Sequence, residues 1–544
     1  MRGENDVTVP PREVVELLGG DEALTFYRRL VELDTTNLED MKSGRVEKRN
    51  YQEACELVKS QAQAWGFSAR IFDPTKDPDN VFPHHHGASR PTVIVDYDVG
   101  APERLLILAH YDCVPVPEAQ ARLWKYPPHK LTWAGDRFYG RGSNDDKGSG
   151  VFCTLQALRE LREAGARKVN VRMIAACDEE TGGSGGLGAI LAKDAISRKR
   201  GEKPILDGHL AMLPDASPNV LAGSSGVTFV DLSIANPAPA ANLPKLLSRL
   251  LEFRAVAQAR KSQLDSGDWP DEGAPDPKIT GRFTVTKLDW QSASERKGFR
   301  VRRIHAETDS YNTIPEIVTL EFDATPEGYA VVQRRIAALP PDLAKRVEMK
   351  PAKENGVVEG TILLHGKGGH GGYPHRFDNP VHHAAPILDA LFGADPLATG
   401  TGNLGFDMRT IPEEDPKHQF ALFEKHAQAA IRELSPGATL KLPDHGMRPG
   451  YFVPPDNADV QLLKRAFEAV SGKPSRVIGE YGGTDASFFA GVPTATGKPM
   501  VALLFGSMDN EANIHSWNEN AKPHLLRQNI DVIAWIAKNW QPHA

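Results

Sequence analysis

Between residues 50 and 220 short apolar runs alternate with longer stretches whose apolar positions recur every three or four residues. YQEACELVKSQAQAWG and SGVFCTLQALRELREAG carry the helical spacing, whereas PTVIVDYD, RLLILAHYD and NVRMIAACD have the length and content of buried strands. That alternation predicts an α/β domain with a largely parallel sheet. The pattern changes after Asp215. A helix near LPKLLSRLLEFRAVAQARK leads into a Pro-, Asp- and Gly-rich stretch at 263–281, expected to be an exposed loop. Two blocks then share one plan, a strand with Asp and Pro near its end and then a helix: TIPEIVTLEFDATPEGYAVVQRRIAAL and NLGFDMRTIPEEDPKHQFALFEKHAQAAIREL. Their likeness hints at a duplicated α+β unit. From about 445 the α/β pattern returns in VQLLKRAFEAVSG, MVALLFG and PHLLRQNIDVIAWIAKNW. The middle third thus reads as an insertion, with one domain in two parts (1–222 and 444–544) and a second at 223–443.

Composition narrows the class. A chain of 544 residues, 40% hydrophobic and 25% charged, is globular, neither disordered nor fibrous. Its net charge of −7 is mild and its Lys and Arg are scattered, so no nucleic-acid footprint is present and a small substrate is expected. The N-terminal residues lack a signal-peptide core, and no run reaches the ~18 apolar residues of a membrane helix. A cytoplasmic location is the expectation, and Cys55, Cys113, Cys153 and Cys177, without paired spacing, fit reduced thiols there.

Candidate chemistry gathers where strands end. RLLILAHYDCVP ends with His110 and Asp112, two apart on a strand and so on one face, at the strand end where ligands collect in parallel sheets. His110 suits a metal ligand whose other ring nitrogen is fixed by Asp112, although a histidine merely satisfied at a strand end shows the same pattern. Asp145 and Asp146 in GRGSNDDKG are adjacent carboxylates that a nearby cation would reconcile, as would Lys147 or a helix N-terminus. NVRMIAACD runs into Asp178, Glu179 and Glu180. If the backbone leaves the strand there, one carboxylate can bind metal while its neighbour acts as a general base; a solvated acidic turn is the plainer alternative. Asp215 in LPDASPN and His515 in NIHSWNE complete a set of histidines and carboxylates that suits two divalent ions sharing a bridging carboxylate.

Three patterns compete. GGSGG around Ser184, with Asp485 and His515 downstream, matches a serine-hydrolase elbow, but polar residues separate the serine from its strand. GKGGHG at 366–371 matches a dinucleotide loop, but Pro374 and Pro380 stand where its helix should begin. His84, His85 and His86 are expected on a surface loop.

The ordered set LAHYDCVP, YGRGSNDDKG, CDEETGGSG, LPDASPN, GKGGHGGYPH, YGGTDA and NIHSWNE resembles the co-catalytic dizinc metallopeptidases that include aminoacylases, desuccinylases, glutamate carboxypeptidases and carnosinase-like dipeptidases. The resemblance implies a zinc-peptidase-type α/β catalytic domain with an inserted α+β lid, here of enlarged size. It implies that His110, Asp145 and Asp215 hold one zinc and that Asp145, Glu180 and His515 hold the other, with Asp145 as the bridge. Glu179 is then the general base, Asp112 the partner of His110, and His370 the lid histidine that reaches over the substrate. Manganese or cobalt is an alternative to zinc.

The third carboxylate divides the family, and an aspartate there, Asp215, resembles the dipeptidase branch, above all the bacterial Xaa-His dipeptidases, whose enlarged lid imitates a second subunit. Asn312 and Arg409 match positions that contact substrate, Arg409 by forking onto a free carboxylate; a turn residue and a lid ion pair are their ordinary alternatives. Dipeptide hydrolysis is the first expectation and N-acyl-amino-acid deacylation the second, with a serine hydrolase or a catalytically silent binding homologue behind them. Small peptides or N-acyl amino acids are the expected partners, with neither nucleic acid nor membrane, in a monomer or homodimer.

Overall fold

The structure, a computed structural model, describes residues 9–542 apart from 41–44, 84–86, 235–240, 254–282, 293–294, 297, 307, 309–310, 355–356, 373–376, 393–398, 411, 413–414, 435–437, 442–446, 481, 490 and 495. The 263–281 stretch and His84, His85 and His86 lie outside the described residues.

The apolar runs of the first part become the centre of a nine-stranded sheet. Arg104–His110 lies between Asn170–Ala176 and Leu210–Leu213, and Ala502–Leu504 follows from the far end of the chain, all parallel. The flanks run the other way. Thr92–Tyr97 pairs antiparallel with Asn170–Ala176 and with Ser68–Phe72, and at the opposite edge Val220–Ser224 is antiparallel to Ala502–Leu504 and Tyr451–Phe452. The sheet is therefore mixed, with four parallel strands at its centre and a further parallel pair, Val220–Ser224 with Val477–Glu480, at that edge. A strand buried on both faces shows one unbroken apolar run whatever its direction, so pattern alone could not orient Thr92–Tyr97. Helices such as Tyr51–Ala64, Cys153–Glu163 and Pro523–Asn539 present apolar faces to this sheet. Leu106, Ile107, Met173 and Leu503 are fully buried between them.

The chain leaves this sheet after Ser224 and enters a second one at Gly226. A Cβ on Gly226 would lie 2.8 Å from the Gly450 backbone nitrogen and 2.9 Å from the Arg448 carbonyl, so only glycine lets the outgoing and returning segments cross this closely. Among the described residues the second sheet has eleven strands, all antiparallel in their pairings, with its main path running from Val347–Glu354 to Ala438–Lys441. Both repeated blocks form the expected strand and helix: Ile317–Ala324 with Pro326–Ala337, and Thr399–Thr410 with Pro416–Leu434. Alternation along Ile317–Ala324 buries Val318, Leu320, Phe322 and Ala324, and the same core holds Trp290, Phe406 and Phe423. The opposite face carries Phe229, Asp407 and Arg409 toward the strand ends of the first sheet. Among the described residues no helix is long and apolar enough to cross a membrane, and all four cysteines are buried and unpaired.

Candidate active site

His110 is the last residue of its strand, and the backbone then turns so that Asp112 lies back beneath the ring. The His110 Nδ1 is 3.1 Å from the Asp112 carbonyl oxygen and 3.4 Å from its Oδ1. Nε2 points the other way, 3.2 Å from Asp145 Oδ1 and 3.7 Å from Asp215 Oδ2. Asp145 sits just before a wide helical turn, Lys147–Phe152. Its loop is ordered by Glu519, whose Oε1 accepts the amides of Gly142, Asn144 and Asp145 at 3.0, 3.2 and 3.2 Å while Oε2 meets Arg141 at 2.8 Å. The second oxygen of Asp145 is 3.1 Å from His515 Nε2. One carboxylate is thus split between two imidazoles.

The acidic run leaves its strand as the chemistry requires. Asp178 takes a left-handed conformation, φ 62°, and starts a short turn over Glu179–Thr181 that brings two consecutive glutamates to one site. A non-glycine residue in that conformation is costly, and Asp178 is held there by Arg90, by Lys48 at 3.1 Å and by Tyr51 OH at 3.3 Å. Glu180 Oε1 is 3.0 Å from His515 Nε2, and Oε2 accepts from Asn312 Nδ2 at 3.2 Å. The Glu179 and Glu180 amides donate to the two oxygens of Asp112, 3.3 and 3.2 Å away. Asp112 also accepts from Asn37, which in turn accepts from Lys48. Asp215 is positioned by its neighbour, the Pro214 carbonyl accepting from Ser149 Oγ at 2.6 Å.

Among the described residues two donor groups are compact enough to share an ion: His110, Asp146 and Asp215, and His110, Asp145 and Glu180. Asp146 is fully buried behind the strand, with Oδ2 accepting the His110 amide at 3.2 Å. Asp145, by contrast, faces the cavity and divides its oxygens between the histidines, which favours it over Asp146 as a bridging ligand. The charge balance fits cations too. Burial, then repulsion from Asp145 and Glu179, pushes Asp215 well above the ordinary carboxylate range despite His110, and burial with Asp145 raises Glu180. Burial opposes a charge on His515, but Glu180 and Asp145 hold it up at about 10. The cluster thus carries more carboxylate than two imidazoles neutralise, and divalent ions would relieve it.

The second sheet closes the site. Gly369–His370 pairs with Thr313–Ile314, and the His370 ring stacks on His515 with centroids 4.7 Å apart and planes 25° apart. Nδ1 of His370 accepts from the Gly372 amide at 2.9 Å, which leaves the proton of a neutral ring on Nε2. Asn312 rests on Glu180, as above. Arg409 lines the cavity, but its Nε and Nη2 fork onto Asp407 at 2.6 and 2.7 Å, because residues two apart on a strand share a face. The cavity is about 130 Å³ and is lined by Asp145, Glu179, Glu180, Asp215, His370 and His515 among others.

Sequence motifs did not disclose Arg448. Its Nη1 is 3.3 Å from Glu179 Oε1 and 2.9 Å from Asp485 Oδ1, and all three side chains are largely buried. Burial, with the charge of Glu179, pushes Asp485 up to about 7 against the pull of Arg448. Asp485 lies in YGGTDA, where the sequence pattern offers it only as the acid of a serine triad. That triad is not assembled: Ser184 is exposed, His515 is engaged by Asp145 and Glu180, and Asp485 by Arg448.

Short segments of the chain are similar to curated proteins. It is 27% identical over 221 residues to an uncharacterized metallohydrolase of Methanocaldococcus jannaschii, covering 39% of this chain and 50% of that one. A cysteinylglycine-S-conjugate dipeptidase of Corynebacterium striatum is 29% identical over 141 residues (26% and 28%), and an acetylornithine deacetylase of Aliivibrio fischeri 43% over 77 residues (14% and 19%). The matches thus span half or less of these relatives. The fold is shared over far more of the chain. Human carnosine dipeptidase 1 superposes with a TM-score of 0.56 at 12% identity, covering 97% of this chain and 98% of that one. A metallo-carboxypeptidase from Sulfolobus solfataricus does so with 0.52 at 17% identity, covering 95% and 99%. The model of peptidase family M20/M25/M40 matches residues 106–539, a span that holds every candidate metal ligand named above, and the chain belongs to that family.

Proposed function

We propose that the protein is a metal-dependent hydrolase of peptide or amide bonds, in the first place a dipeptidase, that uses two divalent ions and a glutamate base. The observation that carries this reading is Asp145 divided between His110 and His515, with Glu179 on the same small cavity. His110, Asp145 and Asp215 would hold one ion, and Asp145, Glu180 and His515 the other. Zinc suits these nitrogen and oxygen donors, with manganese and cobalt as alternatives. When bound, the ions supply Lewis acidity, lowering the pKa of water and polarising a carbonyl.

The remaining work falls to the chain. Glu179 takes the proton of the attacking water and later delivers it to the leaving amine, serving as base and then acid. Asp112 holds both ends of this arrangement, orienting His110 and receiving the amides of Glu179 and Glu180. His370 donates a hydrogen bond from Nε2 to the oxyanion of the tetrahedral intermediate. Asn312 and Arg409 line the substrate end of the cavity, Arg409 held rigid by Asp407.

Asp215 in place of a glutamate favours dipeptides; the short, more similar segment shared with acetylornithine deacetylases supports N-acyl-amino-acid deacylation as the second reading. Because His370 reaches the site within its own chain, a monomer suffices. Buried, unpaired cysteines agree with the reducing cytoplasm. The test is an assay of the purified protein with zinc, manganese or cobalt against dipeptides and acetyl- and succinyl-amino acids. Cleavage of dipeptides is expected; release of acyl groups alone would replace the first reading by the second.

A further inference from the structure

Between the two sheets one carboxylate reaches across the gap. Glu316 follows the short strand Thr313–Ile314 and is 6% exposed. Its backbone carbonyl accepts the Gly366 amide at 2.9 Å, and its Oε2 accepts the Gly368 amide at 2.9 Å, two residues before His370. Oε1 accepts from Ser516 Oγ at 3.3 Å, the residue after His515. Gln120, also from the first part of the chain, donates to the His515 carbonyl at 3.2 Å and lies against Glu316. A Cβ on Gly368 would stand 2.3 Å from the Ile314 carbonyl and 3.0 Å from the Glu316 carboxylate, so the turn is seated with no room to spare.

We propose that Glu316 is a positioning residue for the lid histidine: its carboxylate clamps the 366–370 turn onto the His515–Ser516 turn and thereby sets His370 against His515. Glu316 itself lines none of the cavity that holds the donors. It acts through a register. The pairing of Thr313 with His370 fixes the height of the histidine on the lid, and the Ser516 contact fixes the lid on the body that carries the ligands. Asn312 on Glu180 and Arg448 on Glu179 and Asp485 also join the two sheets, but the Ser516 contact is the one made beside the turn that carries His370. Burial also pushes the Glu316 carboxyl up to about 7 against the Gly368 amide, Ser516, Lys367 and Gln120.

The inference rests on the proposed role of His370, and the experiment separates the two. Steady-state kinetics with a cleaved dipeptide are measured for Glu316→Ala, Glu316→Gln, Ser516→Ala, His370→Ala and the Glu316→Ala/His370→Ala pair, with metal content checked for each. His370→Ala should lower kcat on the order of 100-fold, the scale of one lost oxyanion donor. Glu316→Ala should approach that loss with KM changed less than about 3-fold, and the pair should be no worse than His370→Ala alone. Glu316→Gln keeps an oxygen for Gly368 and an N–H for Ser516 and should restore kcat to within about 5-fold of the parent. Full kcat in Glu316→Ala, or losses that multiply in the pair, overturn the clamp while leaving His370 its role. A fully active His370→Ala removes that role and the clamp with it. Should Glu316→Ala fail to fold, Ser516→Ala carries the same comparison, expected to lower kcat without adding to His370→Ala.

Discussion

The Glu179 amide donates to Asp112 Oδ1 at 3.3 Å, so the proposed base hangs from the residue that also orients His110. Burial of Asp112 opposes its charge, but His110 hydrogen bonding to it, with Asn37 and Lys48, holds it below the usual range and ready to accept. Asp112→Ala should therefore loosen ligand and base together, lowering metal affinity about 10–100-fold and kcat as well at saturating metal. Isothermal titration with zinc followed by kinetics on the loaded variant checks both, and unchanged kcat at full loading would separate Asp112 from the base.

Glu179 itself is one residue from a proposed ligand yet touches neither histidine; its partner is Arg448. Glu179→Ala is expected to keep both metals and lose about 10²–10⁴-fold in kcat, the range of general acid–base catalysis. Metal analysis alongside turnover decides it: an apoprotein or a fully active variant refutes the assignment.

The proposed ligands are legible in the sequence because each closes a strand or opens a turn inside a short motif. His110, Asp145, Glu180, Asp215 and His515 could be named from LAHYD, NDDKG, CDEE, LPD and NIHSW and do converge. What holds them was not legible. Arg448 meets Glu179 across 269 positions, Glu519 orders Asp145 across 374, and Glu316 reaches Ser516 across 200, distances at which no local pattern survives. The direction of the flanking strands escaped for a different reason, since Thr92–Tyr97 is as apolar as its parallel neighbours.

The Arg448 pair gives a prediction about stability. Arg448→Met leaves Asp485 and Glu179 buried together without a cation, and breaking such a buried pair costs about 3–5 kcal/mol. Adding Asp485→Asn removes one of the stranded carboxylates and should recover part of the loss. Urea denaturation of the metal-free proteins measures the cycle; a double variant less stable than Arg448→Met contradicts the arrangement.

Metal binding and pH should oppose one another. His515 has a pKa raised to about 10 against an ordinary 6.5, so in the metal-free protein its contribution to stability is complete below about 6.5 and fades as pH rises through 10. Binding needs the neutral ring, and protons compete with it. The rise in Tm on adding manganese or cobalt should therefore grow between pH 6.5 and 9 while the Tm of the metal-free protein falls. A metal-induced shift independent of pH would exclude His515 as a ligand.

The central claim is that Asp145 joins two metal sites, with one oxygen toward His110 and the other toward His515. Metal content per chain after saturation and removal of excess tests it most directly. The parent should hold two equivalents of zinc, and His110→Ala and His515→Ala should each lose one site before the other. Asp145→Ala should lose both together. One equivalent in the parent, or two retained by Asp145→Ala, would contradict the account.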